Sequence, residues 1–198
     1  SFDCSFFSIP VSTHLLLLSE YDSFWSWITG HKLSSLVVSS SSLDASLRNR
    51  LFALHQDNIY EMYGASEIGT ATYTLLQPSS CSRSGIDVGS PVPHVDVRLI
   101  DSSETTGAEI VVDTPCLCLG YLNDKDKFNV SFAGSHFKTG DLGFLEGNRL
   151  YFLGRSNEVI NCGGRSVYPD DIDSIVQQLS VVKDSKLFPV MTHILVSD

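Results

Sequence analysis

Basic charge is scarce in this 198-residue sequence: 13 Lys and Arg stand against 23 Asp and Glu, for a net charge of -10. That deficit excludes the clustered cationic footprint by which proteins hold nucleic acid. Long apolar runs are also missing. The longest stretch of bulky aliphatics is the leucine run at 15–18, far short of the roughly 20 residues a bilayer span needs. Charged residues of either sign make up only 18%, against about 25% in ordinary soluble domains, and serine fills much of the gap. The first residues, Ser1-Phe2-Asp3-Cys4, carry no initiator Met, no basic segment and no small-residue cleavage site. The expectation is a chain that starts within a longer polypeptide, with no targeting peptide. Five cysteines, odd in number and scattered, suit a reducing, cytoplasmic setting with free thiols. Cys116 and Cys118 are two apart in an apolar stretch, where a strand would turn both to one face; the spacing supplies no zinc fingerprint and predicts buried thiols.

What is present is a 42% hydrophobic share, enough for a substantial core in one domain or a domain and a half. Ser34-Ser35-Leu36-Val37-Val38 reads as a short buried strand. The stripe Leu47, Leu51 and Leu54 reads as a helix after an N-cap at Ser42 or Asp44, with Arg48 and Arg50 on other faces. Asn58-Ile59-Tyr60-Glu61-Met62 is the next strand, ending in the polar turn Tyr63-Gly64-Ala65-Ser66-Glu67. Beyond Pro78 short strands take over. Val95-Asp96-Val97-Arg98-Leu99 alternates, Glu109-Ile110-Val111-Val112 follows, and Glu146-Gly147-Asn148 closes a hairpin, together predicting a small antiparallel, barrel-like sheet. After Arg155 the texture shifts again. Gly163-Gly164 breaks the chain, Pro169 sits at a helix start, and Ile172, Ile175, Val176 and Leu179 form one stripe. The expected division is 1–154, a hinge at 155–157, and an incomplete small domain over 158–198.

Four motifs fall in one order. Tyr63-Gly64-Ala65-Ser66-Glu67 resembles Tyr-Gly-x-Thr-Glu. Residues 107–120 (GAEIVVDTPCLCLG), continuing into Tyr121, resemble a Gly-Glu-Ile core with a downstream Gly-Tyr. Thr139-Gly140-Asp141-Leu142-Gly143 matches Thr-Gly-Asp-Leu-Gly, and Gly154-Arg155 with Gly163-Gly164-Arg165 and Pro169 matches a crossover between domains. In this the chain resembles the adenylate-forming superfamily: acyl- and aryl-CoA ligases, luciferase-like enzymes and nonribosomal-peptide adenylation domains. The resemblance implies an α+β fold, here the end of the large AMP-binding domain (a strand-helix-strand unit plus the antiparallel subdomain) and the beginning of the small C-terminal one.

The same resemblance assigns roles. Tyr63, with Gly64 behind it, flanks adenine; Ser66, in place of the commoner Thr, contacts the α-phosphate; Glu67 ligates Mg²⁺. Asp141 accepts the ribose hydroxyls and Arg155 reaches the nucleotide. Ser41 and Ser42 lie where the family has a turn beside the adenine, and Gly163, Gly164 and Arg165 belong to the thiol side. The hinge residue, usually Asp or Lys, is Asn157, and Asn161 stands where many relatives have Lys. Taken singly, Tyr63 is an ordinary strand-end aromatic, Glu67 a solvated turn residue and Asp141 a cap in a Gly-rich turn; their joint order favours the site. His94 and His136 receive no role.

The resemblance further implies ATP and AMP as ligands, a carboxylic acid substrate, and CoA or a phosphopantetheinyl carrier protein as acceptor. Glu61-Met62-Tyr63-Gly64 lacks the Asn and Pro common in amino-acid-activating domains, which favours an acyl or aryl acid. No segment resembles the family's Ser/Thr/Gly-rich phosphate loop or its C-terminal catalytic Lys, so the chain by itself is expected to be inactive, with weak or absent nucleotide binding. Two alternatives stay open: a non-catalytic scaffold that docks a carrier protein, and one chain of a split ligase completed by a second chain.

Overall fold

The computed structural model describes residues 6–9, 18–30, 35–39, 45–54, 59–77, 85–103, 107–162, 165–169, 172 and 176. Three strands, β1 (Phe6–Ile9), β2 (Ser35–Val38) and β3 (Ile59–Ala65), pair in parallel. Two helices, α1 (Asp22–Gly30) and α2 (Ala45–Leu54), connect them. The apolar stripe read from the sequence lies inward: Leu47 and Leu51 pack with Phe24, Trp25, Leu36, Val38, Ile59 and Leu76 in one core. Each fully buried aliphatic there contributes about 1.5–3 kcal/mol. Both N-cap candidates of α2 lie outside the described residues.

Two details of this unit differ from the sequence reading. Arg48, read as lying on a face other than the leucine stripe, is buried as well. Its Nη2 donates to both carboxylate oxygens of Glu61 on β3, at 2.6 and 2.8 Å, so a paired charge is buried between α2 and β3. Strand β3 also runs on through Tyr63 and Gly64 to Ala65, and the turn shrinks to residues 66–68. Gly64 permits this, since a Cβ there would strike the backbone carbonyl of Gly69 on the adjacent strand.

From β3 the sheet continues antiparallel through β4 (Gly69–Leu75), β5 (Ile86–Pro91), β10 (Arg149–Arg155), β9 (His136–Glu146), β7 (Gly107–Asp113) and β6 (Asp96–Ser103). The short β8 (Phe132–Ala133) joins the side of β9, preceded by the helix α3 (Lys125–Val130), whose Asp124 side chain caps Lys127 N. The path folds back around a second core of Ile68, Ala71, Val88, Val97, Ile110, Val112, Phe137 and Leu150. That closure is the barrel-like subdomain expected from the alternating strands. The hairpin turn predicted at 146–148 joins β9 to β10.

At Arg155 the chain leaves this sheet. Strands β11 (Ile160–Cys162) and β12 (Arg165–Val167) pair only with each other, and Pro169, Ile172 and Val176 are helical. The thiol expectation needs correcting. Cys116 is exposed and Cys118 half-buried, because β7 ends at Asp113 and the chain turns at Pro115, which has no N–H for a ladder, while the Thr114 hydroxyl takes the Cys116 N–H. Cys162 is exposed as well. Among the described residues no three His, Cys, Asp or Glu cluster as metal ligands, and no helix is long and apolar enough to cross a membrane.

Candidate functional site

The curl of the sheet brings Tyr63, near the end of β3, to Asp141 in the middle of β9. Tyr63, 78 residues before Asp141, donates its hydroxyl to Asp141 Oδ2 at 2.7 Å. Asp141 is held in turn by its own motif. The buried Thr139 hydroxyl donates to Ile110 O at 2.8 Å and accepts the Asp141 N–H at 3.1 Å, while Gly140 between them has φ 73°, a backbone that side chains rarely adopt. The Thr-Gly-Asp order is thus a local fold: Thr anchors, Gly turns, and Asp is set facing the neighbouring strand.

On that strand Arg155 is the register partner of Asp141. Its Nη1 donates to Thr139 O at 3.2 Å and lies 3.0 Å from Asp141 Oδ1. This second approach falls outside hydrogen-bond geometry, so Oδ1 is a buried carboxylate oxygen with a charge nearby and no hydrogen bond from the described residues. Ser156 N–H, one residue on, bonds Gly140 O at 2.9 Å. The start of the segment expected to act as hinge is therefore clipped to the Thr-Gly-Asp turn, and Asn157 lies exposed in the turn that follows.

Burial raises the Asp141 carboxyl above the ordinary carboxylate range, against the lowering pull of the Tyr63 hydroxyl and Arg155, with Glu158 adding to the rise. Burial and the Asp141 charge push the Tyr63 phenol well above its usual value, which keeps it a donor. A carboxyl whose folded pKa is raised contributes stability below its unfolded pKa and loses it as pH rises through the folded one. Asp141→Asn removes that cost. Thermal melts from pH 3 to 8 should show wild type losing ground to the Asn variant as pH rises through the carboxylate range, with the two converging in acid. A constant difference across that range would show that burial of the charge is not what raises this group.

Glu67 and Arg155 line an open cavity of about 380 Å³ together with Tyr121, Ser131, Lys138 and Thr139. That volume is within the range of small-molecule sites. Tyr63 and Asp141 lie behind this lining rather than on it. The Tyr121 hydroxyl donates to Glu67 Oε1 at 2.9 Å, and the Cys118 N–H bonds Glu67 O at 2.7 Å. Among the described residues no hydrogen bond or ion pair reaches Glu67 Oε2, leaving a hard oxygen of the kind Mg²⁺ takes. Ser66 and Gly64 are exposed on the approach to the turn.

The structure thus gathers Tyr63, Glu67, Asp141 and Arg155, four residues from three of the sequence motifs. Ser41, Ser42, Gly163 and Gly164 lie outside the described residues, and Arg165 opens β12, in the hairpin beyond the sheet. Sequence reasoning gave no role to Tyr121, Lys138 or Thr139. For Tyr121 and Thr139 the signal was their place inside the matched motifs; Lys138, next to the Thr-Gly-Asp turn, had none. His94, without a role in the sequence, is an exposed turn residue with φ 68°, and His136 is buried with Nε2 3.0 Å from Asp96 Oδ2.

Residues 4–122 match the AMP-binding enzyme family. Over 133 residues the chain is 32% identical to a 2-succinylbenzoate–CoA ligase of Lactococcus lactis, which takes in 65% of this chain and 27% of that protein. The fold superposes on ATP-bound MatB of Rhodopseudomonas palustris with a TM-score of 0.73 at 25% identity, over 90% of this chain and 36% of that one. It also superposes on the O-succinylbenzoate coenzyme A synthetase MenE of Bacillus subtilis with a TM-score of 0.70 at 21% identity, over 92% of this chain and 40% of that one. The chain spans about a quarter to two fifths of the length of these proteins. Matched over more than half its length, the chain belongs to the AMP-binding enzyme family of the adenylate-forming superfamily.

Proposed function

We propose that this chain forms the part of an ATP-dependent acid–thiol ligase that holds the adenosine end of the nucleotide. In the whole reaction a carboxylate attacks the α-phosphate of ATP, giving acyl-AMP and pyrophosphate, and the acyl group then passes to a thiol. The observation that carries the reading is Asp141: a buried carboxylate with one oxygen fixed by Tyr63 and the other without a hydrogen bond. The Arg155 charge 3.0 Å away compensates this oxygen in part, but it accepts no hydrogen bond, and a buried acceptor left so costs about 1–3 kcal/mol. A ribose hydroxyl, a neutral donor, would fill it.

The other residues fit roles around that anchor. Tyr63 offers a ring held in place by its bond to Asp141 and by packing on Phe152, ring centroids 6.0 Å apart. Arg155 and Lys138 give the cavity cationic groups for phosphate oxygens. Glu67 Oε2 would hold Mg²⁺, which when bound neutralises phosphate charge. Ser66, exposed beside Glu67, is read as the α-phosphate contact. The acid is read as acyl or aryl and the acceptor as CoA, in keeping with the CoA ligase named among the relatives. The break in the sheet at Arg155, with β11 and β12 forming their own hairpin, supports a large-domain part over 1–154, a hinge at 155–157 and the beginning of a second domain beyond it.

The test is calorimetric titration of AMP into the 198-residue chain and its Asp141→Ala variant. The variant should bind about 1.5–3 kcal/mol more weakly, the range for a hydrogen bond to a charged group. Equal affinities, or no binding by either protein, would remove Asp141 from the site.

A further inference from the structure

Tyr121 follows Gly120 at the end of a matched motif and is the residue whose placement the nucleotide reading leaves unexplained. Three bonds stitch its loop to the turn that carries Glu67. The Thr114 hydroxyl donates to Ile68 O at 3.3 Å, the Cys118 N–H to Glu67 O at 2.7 Å, and the Tyr121 hydroxyl to Glu67 Oε1 at 2.9 Å. The ring is itself fixed from two sides. Phe128 of α3 meets it edge-on, centroids 5.6 Å apart at 88°, and the Lys127 ammonium lies 5.5 Å from its centre. Both Tyr121 and Glu67 line the cavity.

A glutamate on a turn has three side-chain torsions to order before it can hold a cation, and ordering them costs free energy at the moment of binding. Here one carboxylate oxygen is already tethered through a short, neutral donor. The other has no partner among the described residues. A single hydroxyl donor of this kind aligns the carboxylate without neutralising it, as an Arg or Lys would.

We propose that Tyr121 is a positioning residue for Glu67, holding Oε1 so that Oε2 would be free to take a divalent cation. The proposal rests on the reading of Glu67 as the cation ligand. Tyr121 itself touches neither cation nor nucleotide and acts only through the glutamate.

The experiment measures ATP affinity of the 198-residue chain in excess Mn²⁺ and again in EDTA, the ratio being the metal's contribution. Mn²⁺ serves as probe because it takes the same hard oxygen ligands as Mg²⁺. Glu67→Gln should abolish that contribution. Tyr121→Phe keeps the ring on Phe128 and Lys127 and should reduce it about tenfold, the lower end of the effect of losing a ligand's supporting partner. Its affinity in EDTA and its melting temperature should stay at wild-type values, and the double variant should be no weaker than Glu67→Gln alone. If Tyr121→Phe retains the full contribution while Glu67→Gln loses it, the positioning role is wrong and the Glu67 reading stands. If wild type shows no contribution, or Glu67→Gln keeps it, the Glu67 reading fails and the role of Tyr121 falls with it. A Tyr121→Phe change that also weakens ATP in EDTA, or further weakens the Glu67→Gln variant, marks a structural residue and overturns the proposal.

Discussion

Glu61→Ala should destabilise the chain by about 3–5 kcal/mol, the cost of breaking a buried pair by deleting one partner. Arg48 and Glu61 have side chains only 11% and 6% exposed, and the guanidinium bonds both carboxylate oxygens. Removing the carboxylate leaves a charge in the core between α2 and β3 with the Gln77 carbonyl, 3.4 Å from Nη1, as its one remaining partner among the described residues. Against a total stability of about 5–15 kcal/mol for a domain, that is a large fraction. The pair itself is worth much less than its breakage. Arg48→Met with Glu61→Leu should come out between neutral and about 4 kcal/mol more stable than wild type, because desolvating two charges offsets most of their attraction. Urea denaturation of the three proteins decides it. A loss below about 1 kcal/mol for Glu61→Ala would mean that the Arg48 head group swings out to water.

The consequence reaches the site through β3, since Glu61 precedes Tyr63 by two residues on the same strand. Deleting Glu61 should therefore weaken nucleotide binding along with stability, whereas the apolar double variant should leave it unchanged.

Much of this arrangement was legible because it is written locally. The stripe Leu47 and Leu51 predicted α2, and the alternation around Val97 predicted β6. Glu146-Gly147-Asn148 predicted the β9–β10 hairpin, because turn chemistry and periodicity act over a few residues. Strand β4 went unread although Gly69–Leu75 alternates Thr with Ala, Tyr and Leu, since threonines on a buried face do not register as apolar; Thr72, wholly buried, satisfies its hydroxyl on Val88 O at 2.6 Å. The burial of Arg48 went unread for a related reason: it borders the stripe, three residues before Leu51, and only a carboxylate 13 residues away makes its burial tolerable.

The site divides along the same line. Thr139, Gly140 and Asp141 form a bulge within β9, closed locally by the bond from the Asp141 N–H to the Thr139 hydroxyl, so their conformation is written largely in their own motif. The bond from Tyr63 to Asp141 spans 78 residues and depends on the intervening strands curling round the second core, which no local pattern encodes. The same holds for Tyr121 on Glu67, 54 residues apart. The motif order marked these residues as belonging together, and the closure of the sheet supplies the contacts.

A polypeptide of these 198 residues should show no acid-dependent exchange of pyrophosphate into ATP. Adenylation moves charge onto the pyrophosphate leaving group, and preorganised backbone donors and a lysine are what stabilise it. Among the matched motifs none is a Ser/Thr/Gly-rich loop ending in Lys-Gly, and none supplies the catalytic Lys of the family's last segment. Loss of one preorganised donor costs about 10² to 10³ in rate, so two absent elements should lower turnover by about 10⁴ or more, even with AMP held at Asp141. Lys138 and Arg155 do not replace them. Arg155 is committed in part to Thr139 O and Asp141, and two side-chain cations do not supply the row of preorganised backbone donors that a phosphate loop brings. The assay runs a panel of fatty, aryl and amino acids with Glu67→Gln as background. Exchange by the purified chain above that background would sink the prediction and would place phosphate-binding groups among residues that carry none of the matched motifs. Exchange that appears only when a second polypeptide carrying a phosphate loop is added would favour a ligase assembled from two chains, and binding of a carrier protein with no exchange under any condition would favour the docking scaffold.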